Sequence, residues 1–522
     1  MTLFKAIATV SGLTLISRVA GFARDILTAS ILGAGPIADA FFVALRLPNF
    51  FRRLFAEGAF SASFVPLYAE KLEKEGREAA VELAEMAQAL LASFLIVMCG
   101  LAIIFMPYVI AGFAPGFMRD AERYGLAVEL ARLTFTYLPL ISLVALIGGL
   151  LNSEGRFAPF AAAPLFFNAC LIAALVAATP FVATAGHAMA YGVLAAGIVQ
   201  FLWMVACLSR SKIFLRPRLP RLTPDMRQLL KLMAPGAVTA GVMQINLFVD
   251  VLLASLLPIG AVSYLYYADR LYQLPLGLIG VAIGTALLPL LSRQIAAAHE
   301  NGDSEDEALE TQANALEIGL LVSLPASFVL LVLPLPMIAI LFERGAFGPE
   351  ESAATALALS AYALGIPAHI ITRVFSVAHF ARKDMVRPAK ISVLCTACNV
   401  GLSLALIWPL AHVGLALATT ITFWINAGLL GWSLSRKDAV KLDRPRMLRL
   451  AGQALAALFC AATAFGVHWW LQTLLPGTDT VTRATVLAGA LAAGFLAFVI
   501  SGMATGALTP TAIKRLMGKE AA

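Results

Sequence analysis

Apolar runs long enough to cross a bilayer recur along almost the whole chain, and they decide what it can fold into. A helix rises about 1.5 Å per residue, so roughly 20 apolar residues span the hydrocarbon core. Such runs, separated by Gly, Pro and charge clusters, predict about fourteen helices. They fall at 6–32, 36–57, 78–112, 129–151, 159–179, 186–209, 226–257, 262–297, 307–333, 352–380, 387–408, 412–436, 446–472 and 482–507. Composition agrees: 60% of the residues are hydrophobic and 13% charged, with mean hydropathy +0.85. A soluble domain carries roughly 25% charged residues. No polar stretch is long enough for a separate soluble domain of about 50 residues. The expected fold is an all-α polytopic membrane protein. The first run continues through Arg18 and Arg24 without a cleavage site and reads as a retained span, not a signal peptide.

The basic residues orient the spans. "SRSKIFLRPRLPRLTPDMRQLLK", "ARKDMVRPAK" and "SRKDAVKLDRPRMLR" follow the sixth, tenth and twelfth runs and fall on one side. Opposite loops such as "ILGAGP", "TPFVATAGHA" and "LLPIGAVS" carry no Lys or Arg, and "GFMRDAERYG" balances its charges. This is the positive-inside pattern, and it places both termini in the cytoplasm. The formal charge of +7 therefore reports topology and gives no case for nucleic acid.

The chain also repeats. "FARDILTASILGAG" at 22–35 aligns with "LFVDVLLASLLPIG" at 247–260, matching Asp25 with Asp250 and Gly35 with Gly260. Arg46-Leu47 matches Arg270-Leu271, Pro139 matches Pro367, and Pro159 matches Pro388, with an offset near 225 throughout. That offset equals six spans. The expected organisation is two parallel six-helix lobes, 1–225 and 226–440, with two appended helices in 441–522. Two-lobed transporters bind substrate near the midplane at the junction of their repeats.

Charges inside the runs need a reason. Arg18, Arg24 and Asp25 lie on the first, with Arg18 and Asp25 seven apart and so on one face of an unbroken helix. Asp39 and Arg46 lie on the second, followed by Arg52, Arg53 and Glu57. Asp250, Asp269, Arg270 and Arg373 belong to the second lobe. A central Arg or Asp is unfavourable by roughly 2.5 to 3.5 kcal/mol, so four lipid-facing arginines would cost on the order of 10 kcal/mol. They are expected to face a hydrated cavity between the lobes, partly neutralised by Asp25, Asp39 and Asp269. The remaining positive charge suits a phosphate or diphosphate, which Arg binds bidentately. Arg52 and Arg53 also fit as snorkelling anchors near the membrane edge.

Other chemistry is thin. The histidines form no HExxH, "GAGPIADA" lacks the strand–turn–helix context of a dinucleotide fingerprint, and no Walker A motif is present. Cys395 and Cys398 form a lone CxxC with helical flanks, which reads as packing. An enzyme acting on polyprenyl diphosphates would call for carboxylates near the interface for metal or base work. Here the carboxylates accompany arginines inside the spans. The chain reads as a transporter that changes no covalent bond, and it needs no cofactor.

"SRVAGFARD", "ADAFFVALRLPNFFRRLFAEGAFSASFVPLYAE" and "YYADRL" resemble the MurJ (MviN) family of bacterial lipid II flippases, within the multidrug/oligosaccharidyl-lipid/polysaccharide exporter superfamily. The likeness runs essentially the length of the chain. It implies a flippase of the cytoplasmic membrane that carries lipid II from the inner to the outer leaflet for peptidoglycan synthesis, among membrane lipids and peptidoglycan-synthesis proteins. The family's required cavity charges match Arg18, Arg24, Asp39, Arg52 and Arg270. Asp25, Arg46, Arg53, Asp269 and Arg373 are secondary candidates. The appended helices would form a groove for the lipid tail, although their small residues suit tight packing equally well. Some relatives hold sodium; Asp250, Asn399 and Thr419 match that pattern, but Ser403 stands where a second acid is expected. Membrane potential is the other driving force left open. An exporter of another diphosphate-linked glycolipid would need a similar cavity.

Overall fold

The computed structural model describes residues 3–53, 60–436, 438–440, 443–477 and 479–508. Among them there is no strand. Among the described residues nine helical segments are long and apolar enough to cross a membrane, and the chain is a multi-pass membrane protein. One of the nine is two spans in one. The helix Val386–Ser435 has 50 residues and would run about 75 Å unbroken. Ala411 instead adopts φ 49°, ψ −130°, and Asn399 Nδ2 donates to Thr422 Oγ1 at 3.4 Å. These residues can meet only if the chain doubles back. The runs expected at 387–408 and 412–436 are its two limbs.

The chain divides into two compact units, residues 1–263 with 344–347, and 264–343 with 348–522. The first holds α1 (Leu3–Leu32), α2 (Pro36–Phe51), α3 (Ser61–Lys74), α4 (Arg77–Ile104), α5 (Met106–Phe113), α6 (Ala121–Phe135), α7 (Tyr137–Ser153), α8 (Ala158–Ala173), α9 (Ala185–Arg210) and α10 (Pro224–Ser255). Within it α1 packs on α8, α2 on α6, and α9 on α7 and α8.

α11 (Ala261–Asn301) opens the second unit apart from its first turn. α12 (Asp306–Val332), α13 (Pro334–Phe342), α14 (Pro349–Ala363), α15 (Ile366–Ala381), α16 (Val386–Ser435), α17 (Arg444–Leu474) and α18 (Thr480–Ala504) follow. Its core joins Leu291 and Ile295 of α11, Leu316 of α12, Ile370 and Val374 of α15, and Leu434 of α16.

The repeat is visible in how helices break. Pro139 and Pro367 have no N–H to donate, which frees the carbonyls of Phe135 and Ala363 four residues earlier. The expected single runs 129–151 and 352–380 are accordingly divided into α6 and α7, and α14 and α15. In an apolar setting each freed oxygen needs a new donor. Cys99 Sγ approaches Phe135 O at 3.6 Å, and Ser327 Oγ donates to Ala363 O at 2.7 Å. Cys99 and Ser327 each lie 40 residues before their proline (139 − 99 and 367 − 327). The two halves thus solve one problem at matching positions.

Several expected boundaries shift. α3 was not expected, because its polar, charge-bearing sequence is no lipid-length apolar run. α2 ends at Phe51, and residues 54–57 of the expected 36–57 run, Glu57 included, lie outside the described residues. α10, expected to open the second lobe at 226, clusters with the first unit. Phe248 packs against Phe50 and Phe113, Gly116 N donates to Ser255 Oγ, and Lys71 pairs with Asp225. The preceding linker is held on α4 by Glu85, which accepts from Arg216 N and pairs with Arg218.

Small residues join the appended helices. Gly452, Ala456, Cys460 and Ala464 make a buried stripe at i+4 spacing on α17, and Ala490, Gly494 and Gly502 lie buried on α18. A Cβ at Gly494 would sit 2.9 Å from Ala464 Cβ and from Cys460 O. This stripe serves helix packing, so a lipid tail would need another face.

A second close approach gives a direct test. Gly345 has φ +60°, and a Cβ there would lie 2.2 Å from Ser30 O, where Ala346 N donates at 2.8 Å to the end of α1. Gly345→Ala should lower stability by about 2–3 kcal/mol, through the left-handed backbone and the backbone clash together. Gly125 has open space around it and helical backbone, so Gly125→Ala should be neutral or slightly stabilising. Thermal unfolding in detergent compares the two. Equal midpoints would contradict the assigned contact.

Candidate charge sites in the membrane helices

In the first unit Arg24 and Asp25 of α1 are built into the α1–α8 interface. Gly21 lets Asn168 of α8 approach, its carboxamide lying 3.4 Å from where a Cβ would be. Asn168 Nδ2 donates to Ser17 O at 2.9 Å, which turns Oδ1 toward Arg24. Arg24 Nη1 donates to that Oδ1 at 3.0 Å, and Nε and Nη2 donate to Asp25 Oδ1 at 3.2 and 2.7 Å. Phe167 lies 5.8 Å from the guanidinium carbon. The Arg24 side chain keeps 11% of its surface open, against 5% for Asp25. Asp25 therefore takes Arg24 as a partner across the 100° step, rather than only sharing a face with Arg18. Arg18 is exposed on α1.

Arg46 is half-buried on α2. Arg52, at the end of α2, is half-buried and donates from Nε to Asn49 Oδ1 at 3.3 Å, while Arg53 is exposed.

Asp39 differs. It is 0% exposed and both its oxygens are occupied. Arg123 Nη2 donates at 2.6 Å, Gly260 N at 2.7 Å, Ser263 N at 2.9 Å and Ser263 Oγ at 2.6 Å. Arg123 is itself buried, stacked 3.8 Å over the Phe117 ring. Asp39 thus caps the first turn of α11 and anchors α6. Expected as a cavity charge, in this structure it has both oxygens taken by protein donors. Arg123, assigned by sequence to the balanced loop "GFMRDAERYG", is in fact on the first turn of α6. Asp120 caps that helix by accepting from the backbone N–H of Glu122 and Arg123.

In the second unit Asp269 and Arg270 sit on α11. Arg270 lies 4.6 Å over the Tyr266 ring, and its Nη2 is 3.5 Å from Asp269 Oδ2. Gln273 Nε2 also donates to Asp269 Oδ2. A third of the Arg270 side chain is open, at 33%. Arg373 is exposed on α15.

Of the sodium candidates, Asp250 is half-buried in the first unit, while Asn399 and Thr419 belong to the second. Thr419 Oγ1 donates to Leu415 O at 3.1 Å, and Asn399 and Ser403 are buried. Among the described residues no group of three or more His, Cys, Asp or Glu side chains is placed to hold a metal ion. Asn168 and Arg123 escaped the sequence reading. The one available signal was for Asn168, a lone amide in a lipid-length apolar run, which calls for a partner.

The protein-family model "Lipid II flippase MurJ" matches residues 28–485. A protein named "Probable lipid II flippase MurJ" from Rhizobium meliloti (strain 1021) is 39% identical over 520 residues, covering 99% of this chain and 96% of that protein. "Lipid II flippase MurJ" from Burkholderia cenocepacia is 34% identical over 473 residues, 90% of each. Among solved structures, "Lipid II flippase MurJ, inward closed conformation" superposes with a TM-score of 0.77 at 25% identity, covering 97% of this chain and 99% of that one. An inward-facing multidrug resistance MATE transporter of the MOP superfamily shares the fold, with a TM-score of 0.65 at 17% identity over 83% of this chain and 98% of that one.

Proposed function

The chain belongs to the MurJ family of lipid II flippases, and on that premise we propose that it moves lipid II from the inner to the outer leaflet of the cytoplasmic membrane for peptidoglycan synthesis. The cargo is an undecaprenyl-diphosphate-linked disaccharide-pentapeptide. The observation that carries the reading is Arg24, fixed by Asp25 and Asn168 between apolar helices with 11% of its side chain still open. A fixed, partly desolvated guanidinium is suited to a phosphate oxygen.

Arg18, Arg24, Arg52 and Arg270 supply donors to the diphosphate. Arg46, Arg53, Asp269 and Arg373 tune the field around them. The head group crosses by alternating access while the tail stays in lipid, and no covalent bond changes. Both termini are cytoplasmic, and peptidoglycan-synthesis proteins are the partners on either face. For the driving force we favour membrane potential over sodium. Ser403 supplies no carboxylate, and the Thr419 hydroxyl already donates to Leu415 O. One charge crossing 100 mV is worth about 2.3 kcal/mol.

Purified protein in liposomes should transfer labelled lipid II between leaflets and leave it chemically intact. It should also transfer lipid II faster than a diphosphate-linked glycan of different sugar composition. Conversion of the lipid into a new species would defeat the transporter reading. Equal transfer of both glycolipids would favour a general exporter.

A further inference from the structure

At the end of α17 remote from its basic first turn, the second unit forms an open pocket of about 550 Å³. Its walls include Leu335 and Ile340 of α13 and Val486 of α18. Trp469 lines the pocket with 66% of its surface exposed, the usual placement of Trp at a membrane–water boundary. The polar side is an ion pair, Arg483 Nη1 to Glu343 Oε1 at 2.8 Å, with side chains 37% and 16% open. His468 also lines the pocket. It is 8% exposed, and its Nδ1 has no hydrogen-bond partner among the described residues. None of these residues belongs to the charge sites assigned to the lipid II head group.

We propose that this pocket binds a phospholipid whose head group carries both a phosphodiester and a primary ammonium. The wall chemistry takes the upper part of an acyl chain. The ion pair offers the two charges such a head group needs, in complementary sense. Arg483 presents paired N–H groups to phosphate oxygens, and Glu343 accepts from the ammonium N–H groups. A purely anionic head group would satisfy Arg483 but set its charge against Glu343. A trimethylated ammonium keeps the charge and loses every N–H donor. The pocket volume falls within the range of small-molecule sites, enough for a head group and part of one chain.

The test uses full-length protein, delipidated in detergent and titrated with phosphatidylethanolamine, phosphatidylcholine or phosphatidylglycerol, with bound lipid read by native mass spectrometry. Phosphatidylethanolamine should be retained about tenfold better than either of the others. Glu343→Gln should shrink its advantage over phosphatidylcholine, because the amide oxygen still accepts but carries no charge. Arg483→Gln should weaken all three, and Ala339→Phe, which fills the pocket without touching the ion pair, should do the same. Equal retention of the three lipids by the wild-type protein would overturn the proposal without any variant having to fold. So would a preference for phosphatidylglycerol, or an ethanolamine preference that survives in the Glu343→Gln/Arg483→Gln double variant.

Discussion

In cells depleted of their own lipid II flippase, the Arg24→Ala protein should reach the membrane and fail to support growth. Transfer of lipid II in liposomes should fall by at least about 10²-fold, which corresponds to roughly 2.7 kcal/mol of lost transition-state stabilisation. The reason is geometric as well as electrostatic. Arg24 has its direction fixed from two sides, by Asp25 at 2.7 Å and by Asn168 at 3.0 Å. Deleting it removes a placed donor and takes from the buried Asp25 its ion pair. Arg24→Lys separates these effects. It keeps the charge beside Asp25 but cannot bridge Asp25 and Asn168 and still offer N–H groups to a diphosphate. It should therefore restore membrane levels more fully than transfer. Asn168→Ala should slow transfer less than Arg24→Ala, since it loosens the guanidinium without removing it. Arg270→Ala, on the other unit, should match Arg24→Ala in growth. Normal growth of both alanine variants would refute the assigned roles, and equal transfer by Arg24→Lys would show that only field strength matters.

Sequence pattern reached the architecture because lipid imposes a simple rule. Backbone groups in hydrocarbon must bond within their own helix, so each span announces itself by length and hydropathy. Hence the two limbs of α16 were legible on either side of Ala411. The prolines that divide α6 from α7 and α14 from α15 were legible as a repeat, but the donors that rescue the freed carbonyls were not. Cys99 and Ser327 look like any small residue in an apolar run until the partner helix is placed. α3 and the nine-residue α13 were missed because neither is a lipid-length apolar run. The packing of α10 against the first unit was not legible either. The repeat records where the second half of the sequence begins, whereas packing is decided by Phe248, Ser255 and Asp225.

The charge sites divide along the same line. That arginines cluster on the first, second and eighth runs was readable, because charges in apolar runs are rare and expensive. Which charges are already spent was not. Asp25 finds Arg24 next door in sequence, but Asp39 finds Arg123 84 residues away and Gly260 and Ser263 221 and 224 residues away. No local spacing encodes such partners. The consequence is a separation of roles. Arg24 and Arg270 keep open surface and can meet a ligand, whereas Asp39 and Arg123 have none to spare.

That separation makes Asp39 the sharper test. Asp39→Ala should lower stability by about 3–5 kcal/mol, the usual range for removing one member of a buried ion pair. Arg123 would be left buried beside Phe117, and the first turn of α11 would lose three donor–acceptor contacts. Asp39→Asn should be milder, because its amide oxygen still accepts while its NH2 group faces donors. Were Asp39 a substrate ligand, Asp39→Asn would raise the lipid II concentration needed for half-maximal transfer and leave unfolding unchanged, and Arg123→Gln would not reproduce it. As a positioning residue it should do the reverse. Unfolding temperature and maximal transfer should fall together, and Arg123→Gln should give the same phenotype. The Asp39→Asn/Arg123→Gln double variant should be less destabilised than the sum of the singles by about 1–3 kcal/mol, since the second change removes a partner already lost. Strict additivity in that cycle would mean that the 2.6 Å contact is not what holds α2 to α6, and the capping of α11 alone would have to account for the loss.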